Sequence, residues 1–179
     1  MLTPKQNDCF KPTIVAVNGV CAAAGFYFVA YGDIIICSDN ATFVDPHSSN
    51  GLAPVVAQVL FAYRNIPYSY LMRLGLMSRH ERTGAAKALD VGLVTEVVPQ
   101  AQLLDRAVEI ADIVSRNAPR ASQALVKGVW ECLDLGLSGG VNQAWYIAEM
   151  HDQYSGEAAE GVRAFIEKRD PDWDAVQPP

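Results

Sequence analysis

The run VNGVCAAAGFYFVAYGD, residues 17–33, sets a turn, a string of tiny side chains and an aromatic-rich apolar stretch in immediate succession. Cys21, Ala22, Ala23, Ala24 and Gly25 stand where a helix begins. A helix start leaves backbone N–H groups without intrahelical acceptors, and small side chains let another group approach them closely. That group is either a ligand or the rest of the core, since small residues before a buried helix also serve close helix–strand packing. Other chemistry is excluded by spacing. His80 and Glu81 in SRHERTG do not open an H-E-x-x-H zinc site, because position 84 is Gly84. Cys9, Cys21, Cys37 and Cys132 show no C-x-x-C spacing, which removes the familiar zinc patterns and reads as reduced thiols of a cytosolic protein. No G-x-S-x-G elbow, Walker loop or dinucleotide fingerprint occurs. His151 reads as a surface residue of a helix.

Composition narrows the classes further. The 179 residues suit one compact domain, or one domain with a helical appendage. Half are hydrophobic and 19% are charged, so a substantial core is available. A net charge of −6 and a pI near 5.0 argue against a general nucleic-acid binder, which presents a basic face. The opening residues MLTPKQNDCF are polar, unlike a signal peptide. No apolar run of about 18 residues predicts a membrane span. The expectation is a cytoplasmic protein with neither nucleic acid nor membrane as partner.

The elements that must carry the small-residue turn follow from the pattern. TIVAV (13–17), β-branched and apolar on both faces, predicts a fully buried strand. Asn18–Gly19 turns, and 23–31 predicts a short buried helix. IIICS (34–38) and ATFV (41–44) are strands, so the chain opens β–α–β–β. DPHSSNGLAP (45–54) is loop. Helices are expected at 55–63, 67–76 and 83–90, with Thr83 as N-cap and Gly92 as a stop; LVTEVV (93–98) returns to strand. The last third is helical: 101–116, from Pro119 to about 135, 141–154 after a break at Gly139–Gly140, and 156–168 capped by Ser155.

The segments KPTIVAVNGVCAAAGFYFVAYGDIIICSDNATF, ALDVGLVTEVVP (88–99) and EGVRAFIEKRDPDW (160–173) resemble the crotonase, or enoyl-CoA hydratase/isomerase, superfamily, in order and spacing, over nearly everything after residue 11. The resemblance implies an α/β fold of the ClpP/crotonase type, a spiral of ββα units followed by a C-terminal helical region. Here that gives a partial α/β core over 1–99 and a helical region over 100–179 that supports oligomerisation and coenzyme A contacts. It implies that the family's N-terminal part, with several strands and one oxyanion donor, is lacking. The implied chemistry holds an acyl-CoA thioester oxygen on backbone N–H groups, stabilising an enolate. Ala24, with Gly25, falls at the donor position of the turn.

The resemblance also exposes a departure. The two glutamates of the hydratase reaction correspond to Tyr27 and His47, so hydration by that route is not expected. Superfamily isomerases need one base. His47 suits that role because imidazole titrates near neutral pH; Asp45 would orient it or act itself, and Tyr27 would donate a hydrogen bond. The bland readings are a loop histidine, a turn aspartate and a core tyrosine. Phe165 and Lys168 match positions that face the coenzyme A adenine and phosphates; a core phenylalanine and a solvated lysine are the alternative. The expected function is an acyl-CoA enzyme with isomerase-like single-base chemistry. A catalytically inactive partner subunit of a full-length relative and a thioester hydrolase are the alternatives. No cofactor is implied beyond the coenzyme A of the substrate, and a homo-oligomer, a trimer or dimer of trimers, is expected.

Overall fold

A computed structural model describes residues 2–176, which form two compact units. The first comprises the residues through Cys9 and Thr13–Ala111; the second comprises Phe10–Pro12 and the chain from Asp112 on.

In the first unit, β1 (Ile14–Val17), β3 (Ile34–Ser38) and β6 (Glu96–Val98) make a parallel sheet in the order β1-β3-β6. Ile14 pairs with Ile34, and Ile36 with Glu96. A second sheet joins β2 (Val20–Ala22), β4 (Thr42–Val44) and β5 (Thr83–Gly84), with Cys21 opposite Phe43 in a parallel pair and β5 antiparallel to β4. Helices α1 (Gly25–Tyr31), α2 (Val56–Tyr63), α3 (Tyr68–Met77), α4 (Ala85–Asp90) and the larger part of α5 (Leu103–Ser115) also belong to this unit.

The structure departs from three of the sequence expectations in the first unit. The chain opens β–β–α–β–β, because Val20–Ala22 pairs with β4 before the turn into α1; the pairing is long-range and no local propensity signals it. The strand at 13–17 is not fully buried. It is an edge of its sheet among the described residues, and Ala16 is exposed, whereas the central β3 is buried from Ile35 to Ser38. Thr83 is likewise not an N-cap: it lies in β5 and its Oγ1 accepts from the Tyr70 hydroxyl at 3.1 Å.

The core is built on Phe26 of α1, Phe43 of β4 and Phe61 of α2. Phe26 meets Phe61 edge-on at 5.9 Å and Phe43 at 6.3 Å between ring centroids, arrangements that aromatic quadrupoles prefer. The C-terminal carbonyls of α1 are held by Arg64, whose Nη1 donates to Val29, Ala30 and Gly32 at 2.9, 3.1 and 3.3 Å. Gly32 must be glycine, since a Cβ would stand 2.5 Å from Val15 Cγ2. Gly92, at φ +77°, ends α4 as expected.

The second unit is helical: the end of α5 (Leu103–Ser115), α6 (Pro119–Cys132), α7 (Leu137–Tyr154) and α8 (Glu157–Glu167). Gly139–Gly140 does not break the chain; α7 runs through it. An interior glycine costs about 1 kcal/mol relative to alanine, and the helix carries that cost; Cys132 Sγ donates to the Gly140 carbonyl at 3.2 Å. The N-cap of α8 is Gly156, at φ +75°, and not Ser155 as expected; from one position earlier Ser155 Oγ accepts the Glu157 N–H at 3.1 Å. His151 is not a surface residue: its side chain is only 12% exposed, and Nε2 lies 3.0 Å from the Glu157 carboxylate. That carboxylate also accepts the N–H groups of Arg120 and Ala121 at the start of α6. No helix among the described residues is long and apolar enough to cross a membrane.

Candidate functional site

The small-residue turn is the first wall of the site. β2 carries Cys21 into the core and ends at Ala22. The chain then reverses through Ala23, whose φ of +47° lies in the left-handed region that alanine rarely occupies. Ala24 returns to helical angles and precedes α1. Phe26 N–H bonds the Ala23 carbonyl at 3.0 Å and Tyr27 N–H the Ala24 carbonyl at 3.1 Å. The amides of Ala24 and Gly25 bond no acceptor among the described residues, and Ala24 is exposed. Gly25 leaves room that a side chain would close, since its Cβ would come within 3.2 Å of Cys21 Sγ. Burial pushes the Cys21 thiol up to about 12, so it stays protonated and is no nucleophile at the turn.

The second wall follows β4. Asp45 is 1% exposed. Its backbone carbonyl accepts from Ser78 Oγ at 2.8 Å, and that hydroxyl in turn accepts the Ser49 N–H at 3.0 Å. The carboxylate is fully engaged. Oδ1 accepts the His47 N–H at 3.1 Å and lies 2.5 Å from His47 Nδ1; Oδ2 accepts Gln58 Nε2 at 2.5 Å. The Asp-Pro-His sequence makes this local, because an aspartate readily bonds the backbone two residues on. A carboxylate only accepts, so the neutral imidazole carries its proton on Nδ1 and keeps a lone pair on Nε2. Nε2 has no hydrogen-bond partner among the described residues.

These walls meet. Ala23, Tyr27, Asp45, His47 and Gln58, with the chain at Ala53–Ala57, line a pocket of about 10 Å³, about one water's room. The structure therefore brings together Asp45, His47 and Tyr27 beside the turn that bears Ala24 and Gly25. Phe165 and Lys168 lie elsewhere, in the second unit, on α8 and at its C-terminal end. Both are exposed, Phe165 by 85%, and the Lys168 N–H bonds the Phe165 carbonyl at 3.3 Å. Two site residues escaped the sequence reading. Gln58 carried one signal, being the single polar side chain in VVAQVLFAY; Ser78 carried none. No cluster of three or more His, Cys, Asp or Glu able to hold a metal occurs among the described residues.

Residues 2–176 match the family model described as enoyl-CoA hydratase/isomerase. The chain is 38% identical over 167 residues to mevalonyl-coenzyme A hydratase sidH of Aspergillus fumigatus, covering 91% of this chain and 60% of that protein. It is 36% identical over 171 residues to carnitinyl-CoA dehydratase of Escherichia coli, covering 91% and 63%. A crystal structure of an enoyl-CoA hydratase/isomerase from Mycobacterium paratuberculosis superposes with a TM-score of 0.89 at 42% identity, covering 96% of this chain and 67% of that one. The chain thus spans 60 to 64% of the length of these curated relatives and of the carnitinyl-CoA dehydratases of Proteus. The α/β fold of the crotonase type expected from the sequence holds.

Proposed function

Because the chain belongs to the enoyl-CoA hydratase/isomerase family, we propose that it processes acyl-CoA thioesters through an oxyanion-stabilised enolate, with His47 as its single base. The observation that carries this reading is a carboxylate–imidazole pair in a pocket that Ala23 also lines, one residue before the unbonded backbone amide of Ala24. The thioester oxygen accepts from the Ala24 N–H. His47 Nε2 takes a proton from Cα of a 3-enoyl thioester, and the C–H electron pair delocalises onto the thioester oxygen. Donors placed at that oxygen stabilise the charge where it develops. The proton then returns to the γ-carbon, the double bond shifts to the 2,3 position, and atoms and charge balance. Asp45, fixed at Nδ1, stabilises the imidazolium that exists between the two transfers. Tyr27 lines the same pocket and donates from its hydroxyl.

This is one-base chemistry, distinct from hydration by two glutamates, whose positions are held here by Tyr27 and His47. Addition or removal of water is the second reading, supported by the names of the relatives, a hydratase and a dehydratase. In the second unit, Phe165 and Lys168 would meet the adenine and phosphates of coenzyme A, an aromatic face and a cation suited to a nucleotide. The exposed Leu125, Trp145, Phe165 and Ile166 of the same unit support association into a homo-oligomer.

Replacing His47 with alanine tests the reading. His47→Ala should lower isomerisation of 3-enoyl-CoA by about a hundredfold or more and leave binding of the coenzyme A ester intact. Unchanged turnover removes His47 from the mechanism. Release of free thiol would instead identify a hydrolase. Protein inert toward 2-enoyl- and 3-enoyl-CoA alike would be a partner subunit.

A further inference from the structure

Gln58 is the polar side chain lining this pocket that the proposed mechanism does not use. It lies in the middle of α2, is 6% exposed, and is surrounded by apolar neighbours in sequence. Its amide has two ends with different fates. Nε2 donates to Asp45 Oδ2 at 2.5 Å. Oε1 is buried and bonds nothing among the described residues. The orientation is not arbitrary: an amide oxygen cannot bond a carboxylate oxygen, so commitment of the nitrogen to Asp45 fixes the oxygen as an acceptor in search of a donor. Buried polar atoms in native proteins almost always find one. The space beside Gln58 is the pocket it shares with His47, Asp45 and Tyr27, and its volume of about 10 Å³ suits one O–H-bearing group.

We infer that Gln58 Oε1 accepts a hydrogen bond from an O–H at the β-position of the acyl chain, the entering water in one direction and the β-hydroxyl of the product in the other. The inference rests on the enolate reading and deepens it, because it lets one base carry out hydration. In that step the oxygen of a water held by Gln58 bonds to Cβ of a 2-enoyl thioester, and His47 Nε2 takes one of its protons. The π pair moves onto the thioester oxygen held at Ala24. When the enolate collapses, Cα takes the proton back from His47. Net, H is added to Cα and OH to Cβ, with His47 unchanged. The other O–H remains directed at Gln58 throughout. Gln58 is a positioning residue in its contact with Asp45 and a substrate-binding residue through Oε1.

The two roles separate by experiment, using the full chain and the isosteric variant Gln58→Met. Exchange of the α-protons of butanoyl-CoA in deuterated water needs the base and the enolate but no β-oxygen. Hydration of but-2-enoyl-CoA needs all three. Loss of the Asp45 contact depresses both rates together, whereas loss of the Oε1 acceptor depresses hydration alone. The expected result is a fall of about tenfold or more in the ratio of hydration to exchange. Affinity for 3-hydroxybutanoyl-CoA should weaken while affinity for butanoyl-CoA holds, which reads the hydroxyl arm apart from the water arm. An equal fall of both rates overturns the inference and leaves the enolate reading standing. Exchange without any hydration in the unaltered protein also overturns it. Absence of both reactions in the unaltered protein sinks the enolate reading itself.

Discussion

Asp45→Asn removes a charge while keeping a shape, and its effect can be worked through the hydrogen bonds. The native carboxylate accepts from two sides, His47 through Oδ1 and Gln58 through Oδ2. Asparagine offers one oxygen and one NH2. If the oxygen faces His47, the NH2 faces Gln58, and a flip of the Gln58 amide presents Oε1, which bonds nothing now. The flip turns Nε2 to the place where Oε1 bonds nothing now, so one unpaired end of the Gln58 amide is exchanged for the other, and His47 keeps its proton on Nδ1. Stability should therefore change by less than about 1 kcal/mol. What is lost is the anion that stabilises the imidazolium. Unit charges about 4 Å apart interact by about 4 kcal/mol at an effective dielectric of about 20. His47 is 22% exposed at its side chain, and water screening brings the figure to about 2–4 kcal/mol, or about 30- to 1000-fold in rate. The assay is isomerisation of 3-enoyl-CoA, with a denaturant melt for stability and nitrogen NMR of the His47 ring for the tautomer. A variant within about threefold of the native rate would refute the assigned role of Asp45. A proton moved to Nε2, with a loss nearer ten-thousandfold, would refute the flip of Gln58.

Further outcomes follow from the rest of the fold. Gly32→Ala would drive a methyl to 2.5 Å from Val15 Cγ2 and 3.0 Å from the Phe28 carbonyl; overpacking of this kind costs about 1–3 kcal/mol, read as a lowered denaturant midpoint, and an unchanged midpoint would show that β1 yields freely. The His151–Glu157 pair makes the stability of the second unit depend on pH. Burial opposes the charge on His151, but the bonds and charges of Glu157 and Asp152 outweigh it and hold its pKa above the ordinary 6.5. Burial opposes charge on Glu157 too, and the N–H groups of Arg120 and Ala121 with His151 hold it below the ordinary 4.5. The histidine contribution is complete below 6.5 and lost as pH rises through the raised value; the glutamate contribution is complete above 4.5 and lost as pH falls through the lowered one. The pair therefore stabilises most between these two values, and His151→Gln should flatten the upper side of that profile in urea melts; an unaltered profile would contradict the assignment.

Local signals made much of this legible. The β-branched runs of β1 and β3, Pro119 at the start of α6 and Gly92 after α4 each act through their own backbone preferences, so sequence alone located them. What escaped depends on partners far along the chain. β2 is a strand only because β4 lies beside it. α7 passes through two glycines that sequence reads as a break. Ala16 is exposed because its strand is an edge among the described residues. At the site, the Asp45–His47 contact is local, two residues apart, and the reading reached it through the matching position of His47. Gln58 reaches the Asp45 carboxylate from α2, and Ser78 reaches the Asp45 backbone carbonyl from beyond α3; nothing in their spacing reveals that both close on one residue. His151 looked solvated because its helical neighbours are polar, yet Glu157, six residues on, turns it inward.

The central claim concerns one backbone amide. A crystal structure of the protein with an acyl-CoA analogue whose thioester sulfur is replaced by a methylene tests it most directly. The account predicts the acyl oxygen about 2.7–3.1 Å from the Ala24 nitrogen, with His47 Nε2 facing the α-carbon. An acyl oxygen bound away from Ala24, with the pocket between Ala23 and Gln58 still closed, would contradict it.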